Sequence, residues 1–200
     1  MKSEDSFVYL LLCFTLFRLF LLNSLMEEES QLPKWEGKTS AELKGPAAEE
    51  VWPLLADFCN IHKWFQSLET SYHVEGVPGQ PGLVRYCGHR DHDDDEDDQT
   101  SDTIKFSAKE KLLMIDPVRR CLSYEILDNN WGLKSYVATM QVLDLDGNND
   151  QSRRGCKIEW SFVCDPIEGW RFGDYVSLLD SCLLSMAKKM EHDAFPSTTS

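Results

Sequence analysis

The stretch IKFSAKEKL, residues 104–112, alternates strictly between two kinds of side chain. The even positions are apolar except for one acid, and they are Ile104, Phe106, Ala108, Glu110 and Leu112. The odd positions hold three lysines and a serine. This period of two predicts a β-strand with one dry and one wet face, and it puts Glu110 on the dry face. A carboxylate there must pair with a cation or take up a proton. Such groups concentrate at functional sites, so Glu110 is the first candidate for chemistry.

The strands predicted around this one carry aromatic residues on their apolar faces. The aromatic residue is Tyr124 in CLSYEIL, Tyr136 in KSYVATMQV and Trp160 in CKIEWSFVC. Together with Phe106 and Glu110 they form a mostly apolar surface with a few hydroxyls and one acid. That mixture is typical of a small-molecule pocket. An ordinary core with satisfied tyrosines and one salt bridge remains the alternative interpretation.

The net charge of −14 comes largely from one segment. The run DHDDDEDD, residues 91–98, holds seven acids, which is half of the imbalance. Like-charge blocks repel and stay solvated, and this run lacks the ordered spacing of metal ligands, so we expect an exposed loop and no metal site. The chain has no basic stripe, which argues against nucleic acid as a partner. Its seven scattered cysteines without a C-x-x-C pair are typical of a reduced, intracellular protein.

One segment, FVYLLLCFTLFRLFLLNSL at residues 7–25, resembles a membrane span. It is nearly long enough to cross a bilayer, but Arg18 would cost about 2.5–3.5 kcal/mol at the centre. It fits a signal peptide poorly, because MKSED is not clearly basic and no A-x-A-like cleavage site follows. The sequence from Met26 is a suitable cytosolic start. We therefore favour a cytoplasmic protein translated from Met26 over one anchored in the membrane through residues 7–25.

The rest of the chain suits a single domain with a substantial core. The predicted order is a strand, two short helices interrupted at Pro53 and near Asn60, six more strands, and a long amphipathic helix from about Trp170. The strands are predicted at residues 34–43, 68–74, 83–87, 104–112, 122–127, 134–143 and 156–164. The predicted segments are a leader at 1–25, a tail at 26–33, the domain at 34–195 with an acidic loop at 89–101, and a tail at 196–200.

Short links between six successive strands predict an antiparallel meander. A curved sheet with one wet face must have its dry face covered, and the last helix is the available cover. We therefore expect an α+β protein in which a seven-stranded antiparallel sheet wraps around the long helix and encloses a cavity.

Several short motifs of the sequence resemble those of one protein family. They are KWEGK (34–38), FCNIHKWFQSL (58–68), VEGVPGQPGLVRY (74–86), AKEKL (108–112), SYVATMQV (135–142), EWSF (159–162) and IEGW (167–170). In this order and spacing they resemble the plant family of lachrymatory-factor synthase, within the START and birch-pollen-allergen superfamily of polyketide cyclases, dehydrases and lipid-transport proteins. The resemblance runs from Lys34 to the C-terminal helix and implies the helix-grip fold of that superfamily.

The resemblance also implies an activity, the rearrangement of 1-propenesulfenic acid to propanethial S-oxide without a cofactor. It implies that Glu110 shuttles the proton and that Arg85 anchors the substrate oxygen, as catalytic residues. The substrate would be bound by Tyr124, Tyr136 and Trp160, which match residues of the family, and by Phe106, which shares the dry face of its strand with Glu110. We expect a monomer whose partner is a small hydrophobic or sulfenic-acid ligand, with membrane contact only if residues 7–25 are retained.

Two alternatives stay open at this point. The protein could be a non-catalytic carrier or sensor for a small hydrophobic metabolite or lipid, in which Arg85 and Glu110 only anchor a polar head. The two residues could also form a structural ion pair across neighbouring strands. The alternation in LVRYC does not decide on which face of its strand Arg85 lies.

Overall fold

The alternation around Glu110 produces the longest strand of the fold, which is 14 residues long. The computed structural model describes Arg18 and residues 33–91, 103–145 and 155–196. The strands are β1 (Trp35–Lys44), β2 (Thr70–Glu75), β3 (Val84–Asp91), β4 (Thr103–Asp116), β5 (Cys121–Asn129), β6 (Val137–Asp144) and β7 (Gly155–Cys164). The helices are α1 (Ala48–Ala56), a 3-10 helix (Phe58–Lys63) and α2 (Phe172–Ala194).

All seven strands form one antiparallel sheet in the order β1-β7-β6-β5-β4-β3-β2. The meander from β2 to β7 is as predicted. The pairing of β1 with β7 was not predicted, and it runs in register from Trp35 opposite Cys164 to Lys44 opposite Gly155. The predicted α+β architecture, a curved seven-stranded antiparallel sheet with a long C-terminal helix and two short ones, is confirmed.

Two irregularities on β4 help to curl the sheet. Its register with β5 shifts between Lys109 and Glu110 and again between Leu112 and Met114. Bulges of this kind bend a strand, increase its twist and redirect neighbouring side chains. The second bulge explains why the sequence pattern stops at Leu112 although the strand continues to Asp116. Leu113 and Met114 break the alternation and are both about one third exposed.

The first short helix continues past the proline that was expected to interrupt it. Pro53 lies inside α1, and the break occurs only at Asp57, whose N–H donates to the Pro53 carbonyl at 3.2 Å. Proline removes the N–H that would bond to the carbonyl of Glu49. Both Glu49 and Pro53 are exposed, so water can hydrate that carbonyl and the helix survives. The irregularity expected near Asn60 is present, because this residue has non-helical dihedral angles inside the 3-10 helix.

Helix α2 covers the dry face of the sheet with one apolar stripe. Its buried residues are Tyr175, Leu179, Leu183, Met186, Ala187 and Met190. Phe172, which the helical spacing also put on the stripe, is 40% exposed at the first turn. Among the described residues, no helix is both long enough and apolar enough to cross a membrane.

Four predictions fall on parts of the chain outside the described residues, among them the tail at 196–200, which is described only at Pro196. Apart from Arg18, the apolar segment 7–25 is one, and the acidic run from His92 onward is another. The tail at residues 26–33 is described only at Pro33. The structure therefore leaves these predictions as they stand.

Candidate functional site

The curved sheet and α2 enclose a cavity of about 380 Å³. Its walls are mainly apolar and aromatic, contributed by β3 to β7, the segment after α1 and helix α2. All six site residues predicted from the sequence line it: Arg85, Phe106, Glu110, Tyr124, Tyr136 and Trp160. The pattern of inward faces therefore brings together the residues that the sequence singled out, although their roles are a separate question.

Arg85 and Glu110 form the polar centre of this cavity. They are directly opposite each other in the β3–β4 register, and only 5% and 7% of their surfaces are exposed. The Arg85 Nε donates to Glu110 Oε2 at 2.6 Å, and Nη2 of the same guanidinium approaches the same oxygen at 2.6 Å. No described residue donates a hydrogen bond to the other oxygen, Oε1. One carboxylate oxygen is thus held by the cation, while the other remains available to a ligand.

The guanidinium of Arg85 is fixed by more than its partner carboxylate. Its Nη1 donates to the backbone carbonyl of Phe58, and its carbon lies 3.8 Å from the centre of the Phe58 ring. The centre of the Tyr124 ring lies 5.5 Å from the same guanidinium carbon. Burial is the largest influence and lowers the pKa of Arg85, but the charge and hydrogen bond of Glu110, with Cys87 and Tyr124, together shift it upward. Arg85 is therefore a permanent cation whose position is set by hydrogen bonds and aromatic faces.

Two further polar side chains extend the pair toward β2. Cys87 lies two residues after Arg85, and its Sγ is 3.7 Å from Glu110 Oε2 and 3.5 Å from the Ser71 hydroxyl oxygen. Burial raises the pKa of Cys87 to about 12, so the group is a neutral thiol near pH 7. A thiol in this state is a weak hydrogen-bond donor and a poor nucleophile.

The three tyrosines of the cavity are neutral hydroxyl groups. Burial, followed by the charge of Glu110, raises the pKa of Tyr124 well above its ordinary value. Burial also raises the pKa of Tyr136 well above normal, and the neighbouring Tyr124 and Tyr175 add to this rise. The rings of Tyr124 and Tyr136 are neighbours, with centroids 6.4 Å apart. These tyrosines can donate hydrogen bonds to a ligand oxygen but cannot act as bases near neutral pH.

Aromatic side chains close the cavity on the remaining sides. Trp160 packs edge-on against Phe65 with centroids 5.7 Å apart, and its buried Nε1 has no hydrogen-bond partner among the described residues. Phe106 packs edge-on against Trp131 at 5.1 Å, and the Trp131 Nε1 donates to the carbonyl of Lys105 at 3.0 Å. The hydrogen bond fixes Trp131 over one end of the cavity.

Sequence reasoning missed several residues of this site. Ser71 and Cys87 lie on strands whose alternation is blurred, and Trp131 comes from an irregular loop. Phe58 acts partly through a backbone carbonyl, which no side-chain pattern reveals. Tyr175 could have been found, because it is the polar member of the apolar stripe on α2. Arg85 was found only by resemblance, since Val84 and Arg85 are both buried and the strand shows no alternation at this point.

The described residues offer no other centre of chemistry. They contain no cluster of three or more His, Cys, Asp or Glu side chains that could hold a metal ion. Their six cysteines are all free thiols, and burial raises the pKa of each of them. Glu110 can take part in acid–base chemistry with Arg85 as the charge that can stabilise an anion, and His89 and Lys105 are further ionisable side chains of the cavity wall.

A curved antiparallel sheet that grips a long C-terminal helix around an apolar cavity defines a protein of the helix-grip fold. A family model covers residues 34–190 and bears the description polyketide cyclase / dehydrase and lipid transport. The chain belongs to this family.

Solved structures with the same fold come from bacteria and plants. Protein XoxI from Bacillus cereus has 22% sequence identity and a TM-score of 0.58, and the match covers 81% of this chain and 96% of that one. A protein from Thermobifida fusca has 19% identity and a TM-score of 0.56, over 78% and 93% of the two chains. Ginseng major latex-like protein 151 from Panax ginseng has 16% identity and a TM-score of 0.55, over 81% and 99%. At these identities the likeness shows a shared fold.

Proposed function

We propose that the protein is a cofactor-free isomerase of the lachrymatory-factor synthase type, which rearranges a small vinylic sulfenic acid to its S-oxide. One observation carries the proposal: a buried, hydrogen-bonded Arg85–Glu110 pair borders an apolar cavity, and one oxygen of the carboxylate has no described donor. The resemblance of the motifs around Arg85, Glu110, Tyr136 and Trp160 to that family, with Tyr124 at the matching distance from Glu110, supports the same assignment.

The reaction needs a group that moves one proton between two atoms of the same molecule. In 1-propenesulfenic acid the O–H bond breaks and Glu110 Oε1 takes the proton. The oxygen keeps the electron pair of that bond, a sulfur lone pair forms the C=S bond, and the C=C pair binds the proton returned by Glu110. The new C–H bond is on the carbon that carries the methyl group. Atoms and electrons balance within the substrate, so the chemistry requires no oxidant or reductant.

The other residues have roles that follow from their charge. Arg85 uses two of its five N–H groups on Glu110 and one on Phe58, which leaves one on Nη1 and one on Nη2. These two would stabilise the negative charge that develops on the substrate oxygen. The neutral hydroxyls of Tyr124 and Tyr136 would orient the same oxygen, while Trp160 and Phe106 would wall the hydrocarbon end and exclude water.

The test is product formation from freshly generated 1-propenesulfenic acid by the purified protein. We expect propanethial S-oxide to form faster than in buffer alone. Glu110→Gln should reduce this rate by about 100-fold or more, because a general acid–base group is lost. Glu125→Gln is the matched control, because Glu125 lies on the other face of β5 and pairs with Lys111 at 3.4 Å. Product formation no faster than in buffer, or an active Glu110→Gln variant, would refute the proposal.

A second candidate function is carriage of a larger hydrophobic metabolite or lipid. It is favoured by the size of the cavity. 1-Propenesulfenic acid has five non-hydrogen atoms, which fill about 150 Å³ at about 30 Å³ each, the volume of one water in the liquid. This is less than half of the 380 Å³ of the cavity. A protein that binds larger ligands and does not accelerate the rearrangement would belong to this second class.

A further inference from the structure

The charges of the Arg85–Glu110 pair cancel, and this restricts the kind of ligand that the cavity can hold. The cation and the carboxylate are in direct contact at 2.6 Å, with 5% and 7% of their surfaces exposed. The tyrosine hydroxyls and the Cys87 thiol that surround them are neutral near pH 7, because burial raises the pKa of each group. The inner part of the cavity is therefore polar at one point but has no net charge.

The Arg85–Glu110 pair offers a ligand both hydrogen-bond donors and a hydrogen-bond acceptor. Arg85 retains one N–H on Nη1 and one on Nη2 as donors, and Glu110 Oε1 remains as an acceptor. A ligand oxygen that carries a hydrogen can accept from the guanidinium and donate to the carboxylate at once. A group that only accepts leaves Oε1 without a donor, and an unpaired buried acceptor is costly.

Charged head groups face an additional penalty. A ligand carboxylate would approach a cation whose charge Glu110 already neutralises, and the two carboxylates would repel each other. An ammonium group would meet the same difficulty with Arg85. In both cases the ligand loses its hydration on entering an apolar cavity without gaining a full counter-charge.

Among the described residues, the two other ionisable side chains of the cavity, apart from cysteines and tyrosines, are His89 and Lys105, and both lie farther along their strands. His89 follows Arg85 by four residues along β3, which corresponds to about 13 Å at about 3.3 Å per residue. Lys105 precedes Glu110 by five residues along β4, which corresponds to about 17 Å. Both line the end of the cavity near Trp131 rather than the buried pair.

We infer that the Arg85–Glu110 pair is a binding site for uncharged head groups that donate and accept a hydrogen bond through one oxygen, such as enols, phenols and oximes, and that it excludes carboxylates and amines. A sulfenic acid is one member of this class. The inference does not require the proposed rearrangement, because it holds for an enzyme and for a carrier alike.

The experiment compares probes that share one apolar body and differ in the head group. The probes are 2-naphthol, 2-methoxynaphthalene, 2-naphthoate and 2-naphthylmethylammonium, whose binding to the purified protein is measured by titration calorimetry at pH 7. At an upper bound of about 30 Å³ for each non-hydrogen atom, the 11 such atoms of 2-naphthol fill at most about 330 Å³ and the 13 of 2-naphthoate at most about 390 Å³, so the probes match the 380 Å³ cavity closely. We expect 2-naphthol to bind about tenfold or more tightly than each of the other three. Equal or tighter binding of 2-naphthoate, or no difference between 2-naphthol and 2-methoxynaphthalene, would overturn the inference.

A variant makes the test sharper. Glu110→Gln leaves the charge of Arg85 unbalanced, so we expect 2-naphthoate to bind about tenfold more tightly than to the unchanged protein and to overtake 2-naphthol. Glu125→Gln, with the same change on the outer face, should leave the order of affinities unaltered. A folded Glu110→Gln variant with unchanged affinity for 2-naphthoate would place the anion elsewhere and contradict the inference. If this variant does not fold, the probe series on the unchanged protein still decides.

The outcome is independent of the sulfenic-acid assay. A protein that fails to form S-oxide but prefers 2-naphthol supports this inference and refutes the proposed reaction. A protein that forms S-oxide but prefers 2-naphthoate does the reverse.

Discussion

Arg85 and Glu110 differ in what each can do when its partner is removed. A guanidinium cannot lose its proton in a protein, whereas a carboxylate can become neutral by taking one up. Removal of Glu110 therefore leaves the buried positive charge of Arg85 without a partner. Removal of Arg85 leaves the Glu110 carboxyl group, which can become neutral by taking up a proton. The two substitutions should have unequal effects on stability although the same ion pair is broken.

We expect Glu110→Gln to lower the free energy of unfolding by about 3–5 kcal/mol, the usual cost of a buried charge without its partner. Arg85→Leu should lower it by less. Urea unfolding of both variants, monitored by tryptophan fluorescence at one pH, measures the difference. Glu125→Gln controls for loss of a surface charge and should change little. A larger loss for Arg85→Leu would mean that Arg85 matters mainly through its contacts with Phe58.

Individual residues also show where sequence reasoning succeeds. Glu110 was predictable because period two is strict around it and a carboxylate in an apolar series is conspicuous. The face of β3 on which Arg85 lies was not predictable. Val84, Arg85 and Cys87 are all buried, so the strand shows no alternation of buried and exposed residues there. The bond from Arg85 to the Phe58 carbonyl depends on a tertiary contact between β3 and the 3-10 helix.

At the scale of elements, the three buried tyrosines connect β5, the start of β6 and helix α2. Tyr124, Tyr136 and Tyr175 are each at most 3% exposed. Burial raises the pKa of all three, so the folded protein keeps their protons at a pH where the unfolded chain releases them. Their contribution to stability is complete below about pH 10 and is lost as the pH rises further.

We expect the free energy of unfolding to fall above pH 10, with each tyrosine contributing up to about 1.4 kcal/mol per pH unit. Tyr124→Phe should make this fall less steep by one such contribution. Urea unfolding between pH 9 and pH 11 measures the slope, and Tyr72→Phe is the control, because Tyr72 is 53% exposed. An unchanged slope in Tyr124→Phe would show that Tyr124 ionises in the folded protein.

Elements were predictable where the local pattern is strong. Strands β4, β5 and β7 lie within a few residues of their predicted positions, apart from the part of β4 beyond its second bulge. The continuation of α1 through Pro53 was missed, because sequence alone does not reveal that the affected carbonyl is exposed. The pairing of β1 with β7 was missed as well, since it joins residues more than 100 positions apart.

At the scale of the whole molecule, the fold accepts a polar pair in an otherwise apolar interior. Buried ion pairs contribute less to stability than well-packed apolar residues of similar volume, and their replacement is often neutral or stabilising by about 1–4 kcal/mol. The charges of the pair therefore add little stability to a core that Leu112, Leu122 and Leu183 already pack, although Arg85 also donates to the Phe58 carbonyl. A role in ligand chemistry explains its presence better than a role in folding.

The most direct test of this account is the double variant Arg85→Met/Glu110→Leu, in which no charge is left unpaired. Its free energy of unfolding and its rate of S-oxide formation are measured on the same preparation, beside the unchanged protein. We expect a free energy of unfolding that is unchanged or lower by no more than about 1–3 kcal/mol, the cost of the Phe58 carbonyl without its Arg85 donor, together with loss of S-oxide formation and of the preference for 2-naphthol. A variant that is several kcal/mol less stable, or one that retains the activity and the preference, would show that the pair serves the fold rather than the ligand.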